Sequence, residues 1–200
     1  MKYTKILPVL LAAGALAIAG CGDSNNNSSA DTGASAVAGN PVDRAFVADM
    51  VPHHRSAVQM ATIAQDRGTS AFVKQLADDI VRTQNQEIRV MRGEDKTLAA
   101  AGIEKASLGV AEHMMGMDSD VASLKTAEPF DKAFVTMMLS HHESAVVMAK
   151  AELRKGKSPK LKTLAQDIIT AQQREIAAMR KHLGAAAPKM GDEMGAGHSG

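Results

Sequence analysis

Residues 43–61 read DRAFVADMVPHHRSAVQMA, and residues 131–149 read DKAFVTMMLSHHESAVVMA. The offset of 88 persists downstream without a gap. Gly68 pairs with Gly156, Ala77 with Ala165, and Asp79 with Asp167. Gln84, Glu87, Ile88, Met91 and Arg92 pair with Gln172, Glu175, Ile176, Met179 and Arg180. Across repeats 43–92 and 131–180, 24 of 50 positions are identical. Such a duplication requires a fold in which two copies of one unit bury their apolar faces on each other. Within each copy the apolar residues recur at helical spacing. Asn40-Pro41 is a cap followed by the favoured first-turn proline, and Gly68 is a stop. The second helix starts after Ser70, or at Ser158-Pro159 in copy two, and ends near Gly93–Gly102 or Gly184. The expectation is an all-α four-helix bundle over residues 41–184, built from two duplicated helical hairpins. The chain is long enough for one such core, not two. Pro52 falls inside the first helix and predicts a kink or local break. Its counterpart Ser140 predicts none. Between the hairpins, residues 93–130 predict one short helix from about Asp118 to Ala127.

The segments before and after this domain carry a different chemistry. Lys2 and Lys5 precede a short apolar run, and Ile18-Ala19-Gly20-Cys21 resembles a bacterial lipobox. The run is shorter than a bilayer span. Residues 1–20 read as a lipoprotein signal peptide, with Cys21 as the acylated residue. Residues 21–40 are small and polar, and predict a flexible tether. The chain is then expected to be exported and held at a membrane by acyl chains, facing the periplasm or the cell exterior. Residues 185–200, with Met190, Met194 and His198 among glycines, predict a disordered tail.

Composition excludes several functions. Lys+Arg is 23 against 22 for Asp+Glu, so there is no basic footprint for nucleic acid. Aromatics are 2%, too few for a base-stacking platform. A single cysteine excludes a multi-cysteine metal site within one chain. No Gly-x-Ser-x-Gly is present, and an enzyme is not expected. What stands out is 13 methionines and seven histidines.

On a helical wheel His53 and His54 both lie within the apolar arc of the first helix, among Met50, Met60, Phe46 and Val47. His141 and His142 do the same between Met138, Met148, Val135 and Val146. On the second helix Glu87 and Gln84 sit in an apolar arc with Met91, and copy two repeats this with Glu175, Gln172 and Met179. Glu143 points to the polar arc. Ser56 and Ser144 lie at its edge and read as helix surface. An unpaired inward carboxylate costs several kcal/mol (~3–5), so Glu87 and Glu175 need partners, and the facing histidines are available. A lone core histidine or methionine is ordinarily filler. Four histidines and at least four methionines on the same faces, in duplicate, point to a metal ion instead. Imidazole accepts several metals, but thioether narrows the choice to Cu(I), with Ag(I) as its mimic. Glu87 and Glu175 then orient imidazole N–H groups rather than ligate. The run His113-Met114-Met115-Gly116-Met117 and the Met/His tail are looser soft-metal donors.

The paired motifs Met50-Val51-Pro52-His53-His54…Met60-Ala61 and Met138-Leu139-Ser140-His141-His142…Met148-Ala149 resemble the DUF305 family. The resemblance continues through His113-Met114-Met115-Gly116-Met117 and Phe130-Asp131, over about 41–184. It implies an exported, ferritin-like four-helix bundle, in a family of which some members resemble periplasmic copper-binding proteins of copper resistance. It also implies metal ligands among Met50, His53, His54, Met60, Met138, His141, His142 and Met148. Ser140, standing where copy one has Pro52, implies two sites of different geometry.

The function expected is Cu(I) sequestration, tolerance or transfer outside the cytoplasm, with a copper-handling protein as partner and self-association open. Two alternatives make different demands on the sequence. A structural or interaction lipoprotein would use its histidines only as core. A ferritin-like di-metal oxidase would need Glu-x-x-His motifs, and this chain has none.

Overall fold

The computed structural model describes residues 37–116 and 120–184. The segment expected to be a signal peptide, Cys21, Met117 and the Met/His tail lie outside the described residues. Four helices account for most of the rest: α1 (Pro41–Arg67), α2 (Ala71–Ala100), α3 (Phe130–Lys155) and α4 (Pro159–Leu183). No strand occurs among the described residues. Helix α1 packs most extensively on α2, and α3 on α4. The two hairpins join through α1 and α3, whereas α2 and α4 barely touch. The fold is thus the expected bundle of two hairpins, with α1 and α3 at its centre. No helix among the described residues is long and apolar enough to cross a membrane.

The ends of the helices explain why certain polar residues recur in both repeats. The Asn40 side chain accepts from the Val42 and Asp43 amides at 3.0 and 3.1 Å, and Asp43 closes the capping box. Fully buried Asp43 also accepts from the Lys157 and Ser158 amides in the α3–α4 turn, each at 2.9 Å. Its repeat mate Asp131 accepts from the Thr69 and Ser70 amides in the α1–α2 turn, at 2.9 and 2.8 Å. Each repeat therefore caps the turn of the other. Burial works against ionisation of Asp131, but the bonds from Thr69 and Ser70 outweigh it and hold its carboxyl down to about 2.

Glu152 on α3 is fully buried beside Asp43. Burial first, and then the Asp43 carboxylate, push its carboxyl up to about 8, with Lys162 partly offsetting them. The folded state thus holds this proton more tightly than the unfolded chain does. The resulting stability is present below about 4.5 and is lost as pH rises through about 8. Glu152→Gln is expected to flatten that slope. Denaturant titrations at pH 5 and pH 9 should show wild type losing on the order of 2 kcal/mol more than the variant, after allowance for solvent screening.

Two details differ from the sequence reading. Helix α1 runs through Pro52 without the local break that the sequence allowed. The proline is exposed, so the hydrogen bond it cannot make falls on the solvent side. Helix α2 ends within the expected Gly93–Gly102 stretch, at Ala100, just before Gly102 takes a left-handed φ of 75°. The helix expected over Asp118 to Ala127 is only a 3-10 turn at Ser123–Lys125, with Asp118 and Ser119 outside the described residues. Here Leu124 is fully buried, and Arg67 donates to the carbonyls of Leu124 and Ala127 at 2.6 and 3.3 Å.

Candidate metal centre

Adjacent helical residues point about 100° apart, so a pair can be buried on both sides only in a helix covered on two sides. Helices α1 and α3 meet that condition, and all four histidines are at most 2% exposed. In each pair the first ring faces the other repeat. His53 and His141 lie with centroids 3.6 Å apart and planes 32° apart, across the α1–α3 contact. The second ring faces its own hairpin. His54 Nε2 lies 2.8 Å from Glu87 Oε2, and His142 Nε2 lies 2.6 Å from Glu175 Oε2. The partners expected for the two inward glutamates are the ones found.

Hydrogen-bond chemistry places the ring protons. A carboxylate only accepts, so His54 and His142 carry hydrogen on Nε2. Neither Nδ1 has a partner. His53 Nε2 lies 2.8 Å from Ser144 Oγ, and that hydroxyl donates to the His141 carbonyl at 2.7 Å. With its single hydrogen so used, Ser144 Oγ accepts from His53, whose Nδ1 is also unpartnered. Both ring nitrogens of His141 lack partners. Burial, and then the neighbouring imidazoles, hold His53 and His141 well below the ordinary histidine range. The backbone of each opposing histidine offsets this slightly, without good hydrogen-bond geometry at either ring. His53 and His141 are therefore neutral imidazoles, and the four buried rings together leave five nitrogens without a hydrogen-bond partner.

Six methionines are buried on the helices that carry these rings and their glutamate partners. Met50, Met60, Met91, Met138, Met148 and Met179 are all fully buried. Met50 and Met138 stand one turn before the histidine pairs, and Met91 and Met179 one turn after the glutamates, on the same helix faces. Gln84 and Gln172 are buried with their carbonyl oxygens unpartnered. Among the described residues no three His, Cys, Asp or Glu side chains are grouped to hold a metal ion. The donors collected here are imidazole and thioether.

The linker contributes differently. His113 is exposed, Met114 and Met115 are half-buried, and Met115 packs on the core. His113 lines an open groove of about 770 Å³ with Gly116, Asp120, Glu128 and Met137. So the structure does not bring His113 into the buried cluster. Gly116, at φ 61°, presses on the cluster from outside, and a Cβ there would stand 2.2 Å from Ser144 Oγ.

Two placements correct the sequence reading. Ser144 is not helix surface but 1% exposed and bonded to His53. Glu143, expected on the polar arc, is half-buried and pairs with Arg180 of α4. No wheel drawn for one helix shows what the linker and the opposing hairpin cover. The glycine in His113-Met114-Met115-Gly116 was the signal available for a close approach.

The family described as "Domain of unknown function (DUF305)" matches residues 25–94 and 43–183. A solved DUF305 fragment from Deinococcus radiodurans is 32% identical, covers 73% of this chain and 97% of its own, and superposes with TM-score 0.61. CopM in its Cu(I)-bound form is 31% identical, covers 70% of this chain and 94% of its own, with TM-score 0.58. CopM also matches in Cu(II)-bound and silver-bound forms. A curated relative, an uncharacterized protein of Acanthamoeba polyphaga mimivirus, is 42% identical over 53 residues. That match spans 26% of this chain and 35% of the viral protein's length.

Proposed function

Because the chain belongs to the DUF305 family, we propose that it binds Cu(I) as cargo in its bundle interior, outside the cytoplasm, rather than catalysing a reaction. The carrying observation is the set of buried ring nitrogens without hydrogen-bond partners, in a bundle that buries six thioethers on the same helix faces. Unpartnered buried polar atoms are costly, about 1–3 kcal/mol each, and a metal that accepts nitrogen lone pairs removes that cost. Thioether sulfur favours Cu(I) and Ag(I) over zinc or hard cations, and binds without losing a proton. The similarity to CopM, solved with Cu(I) and with silver, supports the same reading.

Nδ1 of His53, His54 and His142 are the atoms offered, with a nitrogen of His141 and sulfurs from Met50, Met60, Met138 and Met148. Met91 and Met179 lie on the partner helices. Glu87 and Glu175 hold His54 and His142 from behind, as carboxylates do for metal-binding imidazoles. The lipobox-like Ile18-Ala19-Gly20-Cys21 supports export and membrane attachment through acyl chains. His113, Met114 and Met117 extend soft donors along the linker, in keeping with passage of Cu(I) to or from a copper-handling partner.

The test is anaerobic Cu(I) competition against a chromophoric chelator, with elemental analysis and thermal unfolding of the same samples. At a hundredfold excess over Kd, binding to the folded state alone adds about 2.7 kcal/mol. For a domain of this size that raises Tm by about 5–10 °C. No uptake and an unchanged Tm would leave a structural lipoprotein whose histidines only fill the core.

A further inference from the structure

The two repeats are alike in sequence at the histidines but unlike in what holds them. Ser144 Oγ receives the Nε2 hydrogen of His53 and passes its own hydrogen to the His141 carbonyl. His53 is thereby fixed as one tautomer, with Nδ1 bare. By the internal symmetry Ser56 should serve His141 in the same way. It does not: both ring nitrogens of His141 are without partners. Ser56 is half-buried, whereas Ser144 is covered. The linker approaches only one of the two serines in the same way. One connection between two copies can cover only one of two equivalent surfaces, and Gly116 lies on the Ser144 side.

We propose that Ser144 is a positioning residue that makes the two imidazole pairs unequal, presetting His53 for a soft metal ion while His141 is left to adapt. This rests on the Cu(I) reading for its consequence, not for its geometry. A ring already held in its binding tautomer loses less freedom when it binds, and an outer hydrogen-bond partner of a ligand typically sets 10–100-fold in metal affinity. Cu(I) uptake is then stepwise, with the tighter step depending on His53 and on Ser144 behind it.

The test starts without metal. In the full chain labelled with 15N-histidine, long-range 1H–15N correlation spectra report which nitrogen carries hydrogen on each ring. Wild type is expected to show His53 in a single Nε2–H form and His141 averaging between tautomers. Ser144→Ala should release His53 into the same averaging, and Ser56→Ala should change neither ring. In anaerobic Cu(I) competition Ser144→Ala should weaken the tighter step by about 10–100-fold, with Ser56→Ala indistinguishable from wild type. His53 already averaging in wild type, or unmoved in Ser144→Ala, overturns the proposal. The wild-type spectrum decides it even where the variant does not fold. Protein that takes up no Cu(I) yet shows the two tautomer patterns defeats the metal reading alone.

Discussion

His54→Ala combined with His142→Ala is expected to lower Cu(I) affinity by at least a hundredfold while leaving a folded, helical protein. These rings are the ones whose proton is committed to a carboxylate, at 2.8 and 2.6 Å, and whose other nitrogen is bare in the core. Removing them deletes donors and the groups that keep Glu87 and Glu175 paired. Those carboxylate side chains are 16% and 22% exposed, so they can regain water. Each site should therefore cost only about 1–2 kcal/mol of stability, plus the small cavity left behind. Circular dichroism and denaturant titration check the fold, and chelator competition checks affinity. Glu87→Gln with Glu175→Gln should give an intermediate loss, about 10–100-fold, because the amide holds each ring without the carboxylate charge. Full affinity in the double histidine variant would remove these rings from the site.

Met50→Leu with Met138→Leu is expected to separate thioether chemistry from packing. Both methionines are fully buried. Leucine matches them in volume, and such swaps ordinarily cost less than about 1.5 kcal/mol. If the sulfurs only fill space, Cu(I) affinity survives. If they ligate, affinity falls by tenfold or more while Zn(II) affinity, which does not draw on thioether, is unchanged. The comparison between metals is the decisive part, since a general loosening of the core would weaken both.

Much of this arrangement is legible before any coordinates. The duplication fixes two equivalent hairpins. Wheels for the two helices put His53 with His54, and Glu87 with Gln84, on apolar arcs that must face each other. The pairing of His54 with Glu87 follows because a buried carboxylate needs a donor. What escapes is whatever depends on one element crossing another. Asp43 and Asp131 stand at the same place in each repeat, yet their partners are in the opposite hairpin's turn. Ser144 and Ser56 share a register, but the linker covers only one. Glu152 matches Ala64 in the first repeat, so symmetry gave no hint of a carboxyl buried beside Asp43. The linker turn at Ser123–Lys125 is pinned by Arg67, some sixty residues away in sequence, and local pattern does not show such a contact.

The central claim is that imidazole nitrogen and thioether sulfur in one dry interior hold the same ion. Copper K-edge absorption of the anaerobically Cu(I)-loaded full chain tests it directly. The account predicts nitrogen and sulfur together in the first shell, with the sulfur contribution reduced in the Met50→Leu, Met138→Leu protein and the nitrogen contribution reduced in the His54→Ala, His142→Ala protein. A first shell of oxygen and nitrogen alone, identical in wild type and both variants, would contradict it.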